Sequence, residues 1–215
     1  MGGVTMAERL AATDVTAVFR GFQQAVQRDR DLLTDLDTAV GDGDHGTNLD
    51  RGMRAAVEAL DATPPDTPGA VFNLVGRRLV STVGGASGAL YGTAFLRAAK
   101  AAGAAPELDA AGFAAVLRDA TTGIAERGKC AAGDKTMYDV WTAASAAADA
   151  ALGDGLAAVL AAASIAADAA EQQLVPWQAR RGRASYLGER SEGHRDPGAV
   201  SSRLLFDCFA AWAAA

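Results

Sequence analysis

The chain has 215 residues, enough for one sizeable domain with a large buried core. Half of it is hydrophobic, only 6% is aromatic and alanine is abundant, which points to closely packed helices with a core of small and aliphatic side chains. A net charge of −6 excludes a general nucleic-acid binder, because phosphate backbones need a positive surface, although a local basic patch stays open.

Val15, Val18, Phe19, Phe22, Val26, Leu32, Leu33 and Leu36 recur at steps of three and four, and predict one long amphipathic helix that ends near Asp37. A second runs from about Asn48 to Ala62. Thr63-Pro64-Pro65-Asp66-Thr67-Pro68 stops it, since prolines remove donors and clash with a continuing helix. Further helices are predicted over 68–83, 87–102, 108–127, 134–152, 155–180 and 197–214, with glycine or proline at nearly every junction. No segment sustains a period-two alternation of β-branched residues, so no strand is predicted. The expectation is an all-α fold: eight helices with mostly short connections in an antiparallel up-and-down barrel or bundle, residues 1–215 forming a single domain. Gln178 to Asp196 is the exception, a Gly/Arg/Ser-rich connection of a length that in compact domains is often functional.

Met1–Leu10 has no basic segment followed by an apolar run, so no secretory signal is expected. The alanine-rich run 157–170 is interrupted by Ser164 and Asp168 and is too weakly hydrophobic to span a bilayer, so no membrane partner is expected. Cys130 and Cys208 make no disulfide framework, and the expectation is reduced thiols in a cytoplasmic protein.

Three motif matches fail on physical grounds. Gly41-Asp42-Gly43-Asp44-His45-Gly46 satisfies G-x-G-x-x-G, yet a helix precedes it where a strand is needed, and two aspartates would repel a bare pyrophosphate. Gly123 to Cys130 has P-loop spacing, but Cys130 stands where a magnesium-binding hydroxyl belongs. A helix C-terminus with Gly128 as its left-handed cap and Lys129 near the carbonyl dipole fits better. Asp42-x-Asp44 begins like a calcium loop, but the twelfth position is Met53 instead of a bidentate glutamate.

What survives is Asp37, Asp42 and Asp44, three carboxylates between two helices. A divalent cation with oxygen ligands is their natural neutraliser, and magnesium, which takes one or two carboxylates plus phosphate oxygens, is the candidate; three carboxylates suit a two-ion site. A solvated acidic turn that caps the next helix is the structural alternative. Gly84-Gly85-Ala86-Ser87-Gly88 favours the first reading, since a glycine-rich turn that opens a helix offers unpaired amides to a phosphate. Asp196-Pro197-Gly198 reads as an N-cap with proline at the first helical position, and Asp134-Lys135-Thr136 as a cap and first turn. Arg180, Arg181, Arg183, Arg190 and Arg195 make the long connection the most basic part of an acidic chain, suited to close over a phosphate or to meet an acidic partner, with a solvated loop as the alternative. His45 either contacts a ligand or fixes the turn, and His194 carries no assignment. Trp141, Trp177 and Trp212 read as core packing on helical apolar faces or their edges.

Gly41-Asp-Gly-Asp-His-Gly-Thr-Asn48, Gly84-Gly-Ala-Ser-Gly88, Gly133-Asp-Lys-Thr-Met137 and Gly182-Arg-Ala-Ser-Tyr-Leu-Gly-Glu-Arg-Ser191 with Asp196-Pro-Gly-Ala199 together resemble the nucleotide-binding L subunits of dihydroxyacetone (glycerone) kinases, over nearly the whole chain. The resemblance implies an eight-helix antiparallel barrel and an ADP- or ATP-carrying role in phosphoryl transfer. It places Asp37, Asp42 and Asp44 on two Mg2+ ions, and sets His45, Gly46, Thr47 and Asn48, with Ala86 and Ser87, along the phosphate and ribose. Gly128 and Met137 flank the adenine, Arg183 approaches the phosphates, and Asp196, Pro197 and Gly198 close the site. Such a subunit carries only the donor half, the ketone being held on a separate K subunit. A stand-alone L-like chain favours the phosphotransferase-system version, in which an M subunit rephosphorylates bound ADP from phosphoenolpyruvate. An ATP-dependent kinase for a related ketose such as erythrulose, a non-catalytic regulatory binding subunit, and self-association all stay open.

Overall fold

A computed structural model of the chain describes residues 8–215. The first seven residues, part of the stretch read for a secretory signal, lie outside them. Nine α-helices follow in the described residues: α1 (Ala12–Arg28), α2 (Arg30–Val40), α3 (His45–Ala62), α4 (Pro68–Thr82), α5 (Gly85–Ala102), α6 (Ala110–Gly128), α7 (Met137–Ala150), α8 (Leu156–Gln173) and α9 (Pro197–Ala213).

From α3 to α9 each helix packs on its neighbour in sequence, α1 packs on α3, and α9 closes the ring on α1. The all-α barrel is therefore observed. The predicted first helix is two, broken at Asp29, and α2 runs on to Val40 instead of ending near Asp37. Helical hydrogen bonds continue across the break, from the Asp29 amide to the Ala25 carbonyl and from the Leu33 amide to the Asp29 carbonyl, so α1 and α2 act as one bent member of an eight-sided ring.

Two further differences concern element ends. A two-residue antiparallel pair, β1 (Leu10–Ala11) with β2 (Glu107–Leu108), ties the start of α1 to the start of α6; it is too short for any alternation to reveal. Helix α8 stops at Gln173 and not near Arg180, because Pro176 has no amide to continue the helix and disfavours the helical region for the residue before it. Trp177 is consequently off the helix and 40% exposed, whereas Trp141 is buried as expected.

Although aromatic residues are few, they gather on the barrel axis instead of leaving it to small side chains. Phe19 stands edge-on to Phe95 at 5.0 Å and to Phe72 at 5.9 Å, and Trp141 stands edge-on to Phe206 at 5.2 Å. Such pairs add to the burial of large apolar area and fix the helices around a common centre. No helix among the described residues is long and apolar enough to cross a membrane. Cys130 and Cys208 are unpaired.

Candidate functional site

The α2–α3 connection forms because α2 ends on Gly41 and α3 begins at once on His45. Asp37, in the last turn of α2, caps α3 from the side: its Oδ2 accepts the amides of Asp44 at 2.8 Å and His45 at 3.1 Å. Gly41 leaves room for this carboxylate, since a Cβ there would stand 2.1 Å from Asp37 Oδ1. Gly46 serves packing: its Cβ would meet the Arg30 carbonyl at 2.1 Å, so α3 can start flush against α2 only with glycine there.

The result is a set of carboxylates from Asp37, Asp42 and Asp44, each with an oxygen within 4.8 Å of the others. Burial and then repulsion from Asp42 and Asp37 hold the Asp44 carboxyl above its ordinary range, against a weaker pull from Asn48 and Arg183. Arg183 supplies the cation that touches the set, 2.7 Å from Asp42. Three convergent acidic groups facing one exposed guanidinium are what a divalent ion with oxygen ligands would stabilise, so the donor set fits magnesium.

Opposite the carboxylates, α5 opens on Gly85, whose amide end lies against Asp44: a Cβ on Gly85 would stand 3.7 Å from Asp44 Oδ2. The N-cap of this helix, Gly84, has no side chain, and its first amides are therefore free for an anion. Helix α9 starts beside it with Asp196 as N-cap, accepting the Ala199 amide at 2.7 Å, and Pro197 at the first position, as its sequence signature indicates. Although the residue keeps some exposed surface, its carboxyl is enclosed, and burial pushes it up to about 7.

These elements surround a cleft of about 140 Å³ lined by Asp37, Asp42, Asp44, His45, Ala86 and Ser87 together with Met137, Arg183, Asp196, Pro197 and Gly198. An adjoining chamber of about 380 Å³ shares Gly85, Ala86, Leu90 and Met137 and adds Ile124, Gly128 and Cys130, giving an apolar wall suited to a flat ring system. Among the residues singled out from sequence, Gly46, Thr47 and Asn48 line neither space. Thr47 is exposed beside Thr34, and Asn48 is buried with its carbonyl accepting from Arg51. The left-handed residue at the end of α6 is Lys129, not Gly128, which instead lets Leu90 and Cys130 approach within 3.2 Å of where its Cβ would be.

The arginines of 178–196 divide. Arg181 and Arg183 reach the cleft, Arg195 is held away from it by a bidentate pair with buried Glu171 at 2.8 and 3.0 Å, and Arg180 and Arg190 are exposed. The sequence reading missed Lys135, which it took for part of a cap. Thr136 is the cap, and Lys135 is buried with its ammonium donating to the carbonyls of Val175, Trp177 and Ser191 at 2.7–2.9 Å, tying both stems of the arginine segment to the start of α7. Its left-handed backbone, φ 61°, aims the side chain inward.

The described family model "DAK2 domain" matches residues 39–211. The chain belongs to the DAK2 domain family. Asp37 stands just outside the matched stretch, and its two hydrogen bonds to the start of α3 place it with the others. This DAK2 chain is 46% identical over 186 residues to the PEP-dependent dihydroxyacetone kinase 1, ADP-binding subunit DhaL, of Listeria innocua, covering 86% of this chain and 88% of that one. It is 43% identical over 182 residues to the corresponding PEP-dependent subunit of Escherichia coli, covering 84% and 87%. Its fold matches the dihydroxyacetone kinase of C. freundii with a TM-score of 0.72 at 23% identity, and the form of that kinase in complex with AMP-PNP and Mg2+ with a TM-score of 0.70 at 25% identity. In both, 98% of the DAK2 chain is covered, but it spans 36% of the C. freundii chain.

Proposed function

We propose that this chain is the nucleotide-carrying subunit of a dihydroxyacetone kinase, holding ADP or ATP in the cleft and passing the terminal phosphoryl group to a ketose bound on a K subunit. The observation that carries the reading is the facing of three carboxylates and the uncapped start of α5 across one cleft, with an apolar chamber beside it. The similarity to ADP-binding subunits along 86% of the chain supports it.

In this reading Asp37, Asp42 and Asp44 hold two magnesium ions, which would neutralise charge on the nucleotide phosphates. The chain's own contribution is placement and electrostatics. Amides of 85–88 face the phosphate oxygens, Arg183 leaves Asp42 to meet the transferring group, and the apolar walls around Met137 and Gly128 take the base. Asp196, Pro197 and Gly198 border the opposite side. Positioning and charge neutralisation suffice for phosphoryl transfer, so in this reading transfer is direct and in line.

The phosphoryl donor in this reading is phosphoenolpyruvate, delivered by a phosphotransferase-type M subunit that recharges bound ADP. Relatives described as PEP-dependent match at 46% and 43% identity over most of their own length, whereas an L-erythrulose 1-kinase of Mycolicibacterium smegmatis is 35% identical with 35% of its length covered. The test is reconstitution of purified chain with K and M subunits, dihydroxyacetone and either phosphoenolpyruvate or ATP. Dihydroxyacetone phosphate formed from phosphoenolpyruvate with catalytic ADP supports the reading; product formed only from stoichiometric ATP, or from erythrulose alone, replaces it.

A further inference from the structure

Beneath the cleft, a line of side chains leads from its wall into the core. Ser87 Oγ lies 2.7 Å from His45 Nδ1, His45 Nε2 lies 2.9 Å from Ser201 Oγ, Ser201 Oγ lies 2.7 Å from the Tyr91 hydroxyl, and that hydroxyl lies 3.0 Å from Ser202 Oγ. At the far end Trp141 Nε1 donates to Ser202 at 2.9 Å, and the Gly198 carbonyl lies 2.7 Å from Ser202 Oγ and 3.1 Å from Ser201 Oγ. His45, Tyr91, Trp141, Ser201 and Ser202 are all buried, so they must satisfy one another.

Counting protons fixes the direction of this line. The imidazole is buried between two hydroxyls with no carboxylate on either ring nitrogen, so it carries one N–H, and each hydroxyl owns one proton. An indole can only donate, so Ser202 accepts from Trp141, and its own proton goes to the Gly198 carbonyl, its shortest contact. Tyr91 then donates to Ser202, Ser201 to Tyr91, and His45 Nε2–H to Ser201. Nδ1 is left as an acceptor, and Ser87 gives it the hydroxyl proton. With the ring protonated at Nδ1 instead, the Ser87 proton has no acceptor in this line, and every arrangement makes one bond fewer within the protein.

We propose that this line holds His45 as the Nε2–H tautomer and turns the Ser87 proton inward, so that Ser87 faces the cleft as an acceptor and serves the cation side of the site. Tyr91, Ser201 and Ser202 are positioning residues that act through His45. The second half of the proposal rests on the reading of the cleft as a magnesium–nucleotide site: a hydroxyl whose lone pairs face outward suits a divalent ion or the water it carries, and phosphate oxygens are left to the amides at the start of α5. The closeness of Gly85 to Asp44 puts this end of α5 against the carboxylates, which is where such a ligand would be wanted.

The tautomer is read directly from the two ring nitrogen shifts of His45 by 15N NMR of the ligand-free protein. The wild type is expected to be protonated at Nε2. Ser201→Ala, a small buried change, removes the acceptor of that N–H and should move the proton to Nδ1, where Ser87 can accept it. A wild-type ring protonated at Nδ1, or a ring unmoved by Ser201→Ala, overturns the assignment. The cation role is tested with Mn2+ alone: Ser87→Ala should weaken Mn2+ binding roughly tenfold, as loss of a metal-site partner does. An unchanged Mn2+ affinity overturns that role. Neither measurement uses nucleotide, so a protein that fails to bind ADP would remove the proposed function and leave the tautomer standing or falling by itself.

Discussion

The Arg183 guanidinium lies 2.7 Å from the Asp42 carboxylate, bridging the arginine segment and the α2–α3 connection across the mouth of the cleft. Both groups are substantially exposed, so the pair contributes little to folding. Its value is to keep a cation where phosphate charge will arrive. Arg183→Ala should therefore leave the melting temperature nearly unchanged while lowering turnover in the reconstituted kinase by about 10³-fold, the range seen when an arginine that stabilises a transferring phosphoryl group is lost. Steady-state assay beside thermal denaturation checks both halves.

Gly41 owes its place to Asp37. Adding a methyl group 2.1 Å from Asp37 Oδ1 forces the carboxylate to turn away from the cleft, and with it the cap on α3. Gly41→Ala is expected to reduce Mg2+-dependent ADP binding at least tenfold and to destabilise the fold by about 1 kcal/mol, the usual worth of a helix cap. Calorimetry with and without Mg2+, and urea denaturation, give the two numbers.

Lys135 is the tie between α7 and the arginine segment. Lys135→Met keeps the stem but removes three charged hydrogen bonds: the Trp177 carbonyl loses its partner, and the carbonyls of Val175 and Ser191 keep the amides of Gly193 and His194 alone, with an expected loss of about 3 kcal/mol. Hydrogen exchange should rise first in residues 175–191, ahead of the barrel helices.

Asp196 makes stability depend on pH. Its carboxyl titrates near 7 in the folded chain and near 3.8 in the unfolded one, so the unfolded state gives up its proton first as pH rises. In the metal-free protein this group lowers stability progressively from about pH 4 to pH 7 and adds no further change above that. Asp196→Asn, which retains an oxygen for the Ala199 amide, should flatten that part of the profile by a few kcal/mol. Urea midpoints from pH 4 to 8 test it.

Most of the barrel was legible in sequence because its helices are amphipathic and its junctions carry glycine, proline or capping residues. The break at Asp29 was not, since the apolar pattern misses one step there but resumes in phase at Leu33, seven residues after Val26, and no glycine or proline stands between. The end of α8 was available in Pro176 and was overrun by the alanine periodicity. At the site, carboxylate crowding and a glycine-rich helix start are local signals that spacing reveals. The roles of Lys135 and His45 depend on carbonyls and hydroxyls brought from distant parts of the chain, Val175 to Ser191 for one and Ser87 and Ser201 for the other. No local pattern encodes such partners, and a buried lysine reads in sequence like any surface lysine near a cap.

The central claim is that the three carboxylates hold divalent ions that in turn anchor a nucleotide. Crystals grown with ADP and Mn2+ in place of Mg2+ test it most directly through the anomalous signal of the metal. Two peaks within coordination distance of Asp37, Asp42 and Asp44, with the phosphates of ADP bridging them to the start of α5, are the expected result. A map with ADP bound and no anomalous peak among these carboxylates, or with the metal elsewhere on the surface, would contradict the account.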